Sequence, residues 1–141
     1  MTARLIEKAL LTAWDAFNAA SGNIATAYEN ANFTPTQGTP WAQVFFLPDQ
    51  PKVATLSGIG EDMHEGILQV NLNYPQGAGA GSAADKADAI REYFEAGARF
   101  ASGSQEVLIL SSGRAGGRNV EGWYVLPVTI NFQARTSRSV T

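Results

Sequence analysis

Three stretches of the chain carry residue types that do chemistry. The first is GAGAGS at 77–82, a glycine-rich run that opens onto a helical pattern. Such loops cradle phosphates when a lysine follows in GxxxxGK[ST] spacing, and bind dinucleotides when the glycines fall as GxGxxG after a parallel strand. Here the glycines fall as GxGxG, and Lys86 lies one turn inside the expected helix. The second stretch is EDMHEG at 61–66, which sets the only histidine, His64, among carboxylates. That pairing is the raw material of a general base. Glu61, Asp62 and Glu65 are hard oxygen ligands, but they lack the D-x-[DN]-x-[DN]-G ladder of a calcium loop. The third is GRAGGR at 113–118, where the forked guanidinium groups of Arg114 and Arg118 suit phosphate or an acidic partner surface. The plain reading of all three is a flexible connection, a solvated acidic loop and a solvated turn.

Composition closes off most other chemistry. The 141 residues include no cysteine, which excludes disulfides, thiolate metal sites and cysteine nucleophiles. A single histidine excludes multi-histidine metal centres. No GxSxG elbow is present, and Ser111 and Ser112 have no assigned base. Neither a cofactor nor a resident metal is expected. Charged residues make up 16%, below the roughly 25% of ordinary domains. The net charge of −3 does not give the basic face of a nucleic-acid-binding domain. No apolar run approaches the ~18 residues of a membrane span. The first residues interleave Glu7, Lys8 and Asp15 with apolar ones, unlike a signal peptide, so a soluble chain made in the cytoplasm is expected.

The elements that position these stretches follow from periodicity. Residues 3–20 repeat Ile6, Leu10, Ala13, Trp14 and Phe17 at three- and four-residue spacing, which predicts an amphipathic helix stopped at Ser21-Gly22. Short strands are expected at 24–28 and 52–57, and a stronger one at Trp41–Leu47. Residues 58–66 read as a glycine-bounded loop. From Ile67 to Tyr74 the chain alternates: Leu68, Val70, Leu72 and Tyr74 face one way, Gln69, Asn71 and Asn73 the other. That second face is polar and uncharged, and the three amides are candidate subunit-interface residues. A second helix is expected from Ala83 to about Phe100, with Ser82 and Asp85 in capping-box spacing. Strands follow at 107–110 and 123–133, joined by a loop at 111–119. Pro127 cannot donate a ladder hydrogen bond, which argues for an edge strand or a bulge there. Trp41 and Trp123 read as half-buried anchors and candidate interface residues. This order predicts an α+β fold: a mixed, largely antiparallel sheet with two helices packed on one face. One domain over 1–134 and a flexible tail over 135–141 are expected.

Taken in order, several stretches resemble the tail terminator proteins of long-tailed bacteriophages, in the group related to the lambda-type terminator. They are ALLTAWDAF, IATAYENANFTPTQGTPW, FFLP, GIGEDMHEGILQVNLNYPQGAG, ADAIREYFEAG and GWYVLPVTI, spanning nearly the whole chain. The resemblance implies a structural protein and not an enzyme. It implies an α+β subunit of a hexameric ring on the head-proximal end of the tail tube, which stops tube polymerisation and offers a surface for head joining. Its implied partners are copies of itself, the major tail tube protein, a head-completion protein and genomic DNA passing through without specific binding; its implied place is the virion tail, with no membrane. The family supplies no catalytic set to carry over. Within that role, Glu61, Asp62 and Glu65 are candidates for a lumen or ring face, and Arg114 and Arg118 for contact with an acidic partner. The other expectations kept open are another head–tail connector or tail-completion ring, and a small nucleotide- or ligand-binding enzyme using Gly77–Ser82.

Overall fold

In the computed structural model, the described residues are 2–54, 60–77 and 79–137, with the backbone alone described for residues 2 and 3. Helix α1 spans Thr2–Ala20 and buries Ile6, Ala9, Leu10, Ala13, Trp14 and Phe17, the stripe its spacing predicts. The chain turns at Gly22, whose φ of 106° suits a residue without a side chain. Asn18 then fixes the exit. Its amide donates to the Ile24 carbonyl at 2.7 Å and its oxygen accepts from the Ile24 N–H at 2.7 Å.

The sheet is built from β1 (Ala25–Tyr28), β2 (Trp41–Pro48), β3 (Lys52–Val53) and β4 (Glu61–Pro75), then, after helix α2 (Gly81–Tyr93), from β5 (Arg99–Ser102), β6 (Gln105–Arg114), β7 (Arg118–Val120) and β8 (Trp123–Ser137). The strand order is β1-β2-β4-β8-β6-β5, with β3 also pairing β4 and β7 also pairing β8. Among the described residues only β1–β2 is parallel, so the sheet is mixed and largely antiparallel. Both helices pack on one face, over Ala42, Val44, Leu68, Val70, Leu72, Leu126, Val128, Ile130 and Phe132. This is the α+β architecture that the pattern predicts.

Several boundaries differ from the sequence reading. Residues 61–66 are not a loop: β4 starts at Glu61 and pairs with β8 along fifteen positions, from Glu61↔Ser137 to Pro75↔Trp123. Gly66 looked like a loop boundary, but it is a point of close approach. A Cβ there would lie 2.6 Å from the Leu47 carbonyl oxygen and 2.8 Å from Pro48 Cα. Strand β3 covers only Lys52–Val53, and 55–57 of the expected strand lie outside the described residues. Helix α2 starts at Gly81 with Ala80 as N-cap, so Ser82 caps nothing. It ends at Tyr93, well short of Phe100, because Phe94 leaves the helical conformation at φ −102° and ψ 49°. Gly97, at φ 93° with its N–H bonded to the Ile109 carbonyl, then turns the chain into β5. Strand β6 runs on to Arg114, which leaves 115–117 as the connection. Strand β8 extends to Ser137, so Ala134–Ser137 belong to the sheet; 138–141 lie outside the described residues.

Pro127 sits in a central strand, not an edge. Its carbonyl accepts from the Ala115 N–H at 3.0 Å. The N and C=O of one residue point to the same side of an antiparallel strand. The missing donor therefore faces the gap between the end of β6 and the start of β7, where no ladder partner is asked of it.

The outer edge by β1 is tied by side chains. The Glu29 carboxylate accepts from the Phe46 N–H, and the Tyr28 hydroxyl donates to the Asp15 carboxylate of α1. Burial, and then the bond to Asp15 and its charge, push the Tyr28 phenol well above its ordinary value of 10.0. Burial and the Asp85 charge push Tyr74 the same way. A group whose pKa is raised by folding stabilises the fold below its unfolded pKa and ceases to do so as pH rises through the folded value. Stability is therefore expected to fall above about pH 10. Tyr28→Phe is expected to flatten this alkaline decline in urea titrations, leaving the smaller Tyr74 share. An unchanged slope would show that Tyr28 is neither buried nor held against Asp15 in solution as described.

Candidate functional site

The face of the sheet opposite the helices is uncovered, and cross-strand register fixes what it presents. Its central rows are Gln43↔Asn71↔Pro127, then Phe45↔Gln69↔Thr129↔Gly113, then Leu47↔Ile67↔Asn131↔Ser111. None of these residues is charged. Apart from Gln43 the polar ones bind one another: Thr129 Oγ1 donates to Gln69 Oε1 at 3.0 Å, Gln69 Nε2 to Asn71 Oδ1 at 3.0 Å, and Asn131 Nδ2 to Ser111 Oγ at 3.0 Å. Asn73 is buried and donates to the Asn71 and Trp41 carbonyls at 3.2 and 3.4 Å. The result is a fixed, uncharged lattice of amides and hydroxyls. Leu47, Leu110 and Val120, three of the exposed large hydrophobic residues, border it; Leu110 is there because it occupies the β-bulge between Ile109 and Ser111.

Charges gather at the two ends of this face. At one end Lys52 Nζ lies 3.4 Å from Glu65 Oε1, Arg135 Nη1 lies 3.4 Å from Glu61 Oε1, and Arg99 Nη1 lies 3.5 Å from Glu106 Oε1. These pairs are exposed and contribute at most about 1 kcal/mol each. Beside them a cavity of about 620 Å³ opens between Arg99, Gln105, Glu106, Gln133 and Arg135. Gln105 is buried and its amide donates to the Glu106 and Arg135 carbonyls, which locks β6 to β8 at this point.

The acidic trio is not a cluster. Glu61 and Glu65 project on the open face with cationic partners, while strand alternation sends Asp62 to the other face. Among the described residues no group of three or more His, Asp or Glu side chains has the geometry of a metal site. His64 is half-buried with its Nε2 2.9 Å from Thr136 Oγ1, a contact that ties β4 to β8. Of the glycine run, Ala78 lies outside the described residues. Lys86, the lysine nearest that run, is turned to α1: its Nζ donates to the Ser21 carbonyl at 2.8 Å and sits 5.8 Å from the Phe17 ring centroid. The phosphate-cradle reading loses its cation there.

Arg114 and Arg118 are both exposed, but the structure does not bring them together. Arg114 pairs with Val128 and shares the helix-side face, whereas Arg118 pairs with Val125 and shares the open face. Arg118 lies at the end of the sheet that also holds Trp41 and Trp123, whose rings meet edge to face at 5.9 Å. Phe33 stacks on Trp41 at 5.2 Å from the loop before β2. The sequence marks both tryptophans; it gave no sign that Phe33, or the Arg99–Arg135 groove, would join the face, because both depend on cross-strand register.

A family model described as "Phage tail terminator protein" matches residues 5–132. A solved structure with 20% sequence identity superposes with a TM-score of 0.77, covering 95% of this chain and 96% of that chain. At that identity it shows the shared fold alone. No curated protein matches the sequence. Among the described residues no helix is long and apolar enough to cross a membrane.

Proposed function

This chain belongs to the phage tail terminator family, a family of structural proteins, and from that premise we propose that it closes the head-proximal end of a tail tube as a hexameric ring. The observation that carries the proposal is the family match across residues 5–132. In this reading the ring stops tube polymerisation, offers the surface that head-completion proteins join, and lets DNA pass through its centre. No catalytic step is assigned to it.

The physical chemistry of the surface supports the reading. An uncharged centre with charges at the rim is the pattern of a protein–protein interface. Gln69 and Asn71 belong to that centre, and we place them in the contact between subunits, with the buried Asn73 beneath them holding the Asn71 and Trp41 backbone. Glu61, Asp62 and Glu65 lie at the far end of β4, where we place a lumen-facing or ring-face surface. Arg114, on the other side of the sheet, is assigned to an acidic partner outside the ring. A conduit must not hold DNA by neutralising its phosphates. A charge of −3 per chain, −18 for six copies, suits that requirement.

The test is native mass of the purified protein across concentration, with negative-stain images of the same samples and of mixtures with tail tubes. A species of about 90 kDa, six copies of 15.0 kDa, with ring images or capped tube ends is the expected result. A monomer that leaves tube ends uncapped would overturn the proposal.

A further inference from the structure

A closed ring of identical subunits needs two different surfaces that fit each other. The structure offers a matched pair on opposite sides of the sheet. On the open face, a cavity of about 220 Å³ has Trp41, Trp123, Gln43, Asn71, Asn73 and Arg118 in its walls. Arg118 is exposed and has no ion-pair partner among the described residues. Trp41, one of its walls, has an Nε1 donor buried without an acceptor, a deficit of the kind that native structures rarely leave. Glu121 also borders the cavity, and is the one acidic group among donors. On the helical side, Asp85, Asp88 and Glu92 follow one another at three- and four-residue spacing along α2, with Glu95 just beyond its end. All four are exposed, and none has a cationic partner among the described residues.

We propose that in the ring the acidic face of α2 of one copy lies across the open sheet face of the next, with Asp85 and Asp88 meeting Arg118 beside the Trp41–Trp123 pocket. This rests on the ring reading above and deepens it by naming the two faces. Charge complementarity selects the occupant: a donor-rich pocket with an unpaired arginine meets a helix face of unpaired carboxylates, whose neighbour Arg91 is turned to the Ser112 carbonyl. Size agrees. Four strands about 4.8 Å apart, over some eight residues at about 3.3 Å each, give roughly 500 Å² of flat area before side-chain relief. That is the scale on which a standard interface of about 800 Å² per partner is built. The contact is head-to-tail because the two patches lie on opposite faces of one sheet.

Charge exchange in the full chain tests it. One variant carries Arg118→Glu; a second carries Asp85→Lys and Asp88→Lys. All the exchanged residues are exposed, so circular dichroism and thermal midpoints that match the wild type below its ring-forming concentration are expected and serve as the folding control. Each variant alone is expected to need at least about tenfold more protein to form rings, in solution or on tube ends. An equimolar mixture is expected to recover ring formation, because alternating copies match opposite charges at all six contacts. Rings from either variant alone at the wild-type protein concentration, or no recovery in the mixture, would overturn the proposal while wild-type rings keep the ring reading. Intact variant rings that fail only to cap tubes would assign Arg118 to the tube protein instead. A wild-type chain that never forms rings would overturn both.

Discussion

Trp14→Ala is expected to lower the free energy of unfolding by about 3–5 kcal/mol. Trp14 is fully buried and is the largest side chain in the core. It seats the underside of α1 next to Phe17, with ring centroids 5.6 Å apart. Truncation removes its apolar area from the core and leaves a cavity that the helix cannot close without moving. A second loss follows. Trp14 Nε1 donates to Thr26 Oγ1 at 3.1 Å, and Thr26 in turn donates to the Ile24 carbonyl at 3.1 Å. This chain of bonds ties α1 to β1, the parallel strand at the outer edge of the sheet. Trp14→Phe keeps much of the apolar area but drops the indole donor, so its cost is expected nearer 1 kcal/mol. Urea unfolding of both variants measures the difference, provided the m-value is unchanged. A loss below 1 kcal/mol for the alanine variant would mean that α1 is not seated on the sheet as described.

The same helix shows how far sequence alone reaches. Its stripe of Ile6, Leu10, Ala13, Trp14 and Phe17 is legible because burial follows a 3.6-residue period that each residue carries locally. The alternation of β4 and β8 is legible for the same reason, and with it the polar face of Gln69, Asn71 and Asn73. What was not legible depends on residues far apart in the chain. Phe94 and Phe100 continue an apolar pattern past Tyr93, and only the non-helical backbone of Phe94 and the positive φ of Gly97 beyond it show that the helix has ended. Arg114 and Arg118 are four residues apart, which in an unbroken strand would put them on one face. Their partners on β8, Val128 and Val125, are only three apart. One residue is therefore looped out between β6 and β7, and the side-chain alternation inverts. The bond between Thr129 and Gln69 spans sixty positions and has no local signature. The same holds for the ion pairs that neutralise Glu61 and Glu65. A run of acidic residues looks like a cluster until the opposite strand supplies the cations.

Gly66→Ala is expected to cost about 2–3 kcal/mol, although it adds a single methyl group. In most strand positions that methyl would be tolerated. At Gly66 it would sit 2.6 Å from the Leu47 carbonyl oxygen, 2.8 Å from Pro48 Cα and 2.9 Å from the Phe132 ring. The first two are backbone atoms, which cannot rotate aside as a flexible side chain does. Relief requires β2 to lift from β4 where it ends. That movement would strain the Asp49 N–H bond to the Glu65 carbonyl, 2.8 Å, through which the chain passes on to β3. It would also part Phe46 from Phe132, whose rings stack at 5.5 Å and 13°. Gly113→Ala is the matched control. Gly113 lies in β6 of the same sheet, a Cβ there meets nothing within 4 Å, and its φ is not positive. Its replacement is expected to stay within about 0.5 kcal/mol of the wild type. Urea midpoints for the pair separate crowding from the loss of glycine's freedom, since both substitutions remove a glycine from a strand. If the two variants behaved alike, β2 would not approach β4 at Pro48 as closely in solution. The end of the sheet that holds Glu61 and Glu65 would then be set by something other than this contact, and its assignment to a ring or lumen face would lose its fixed support.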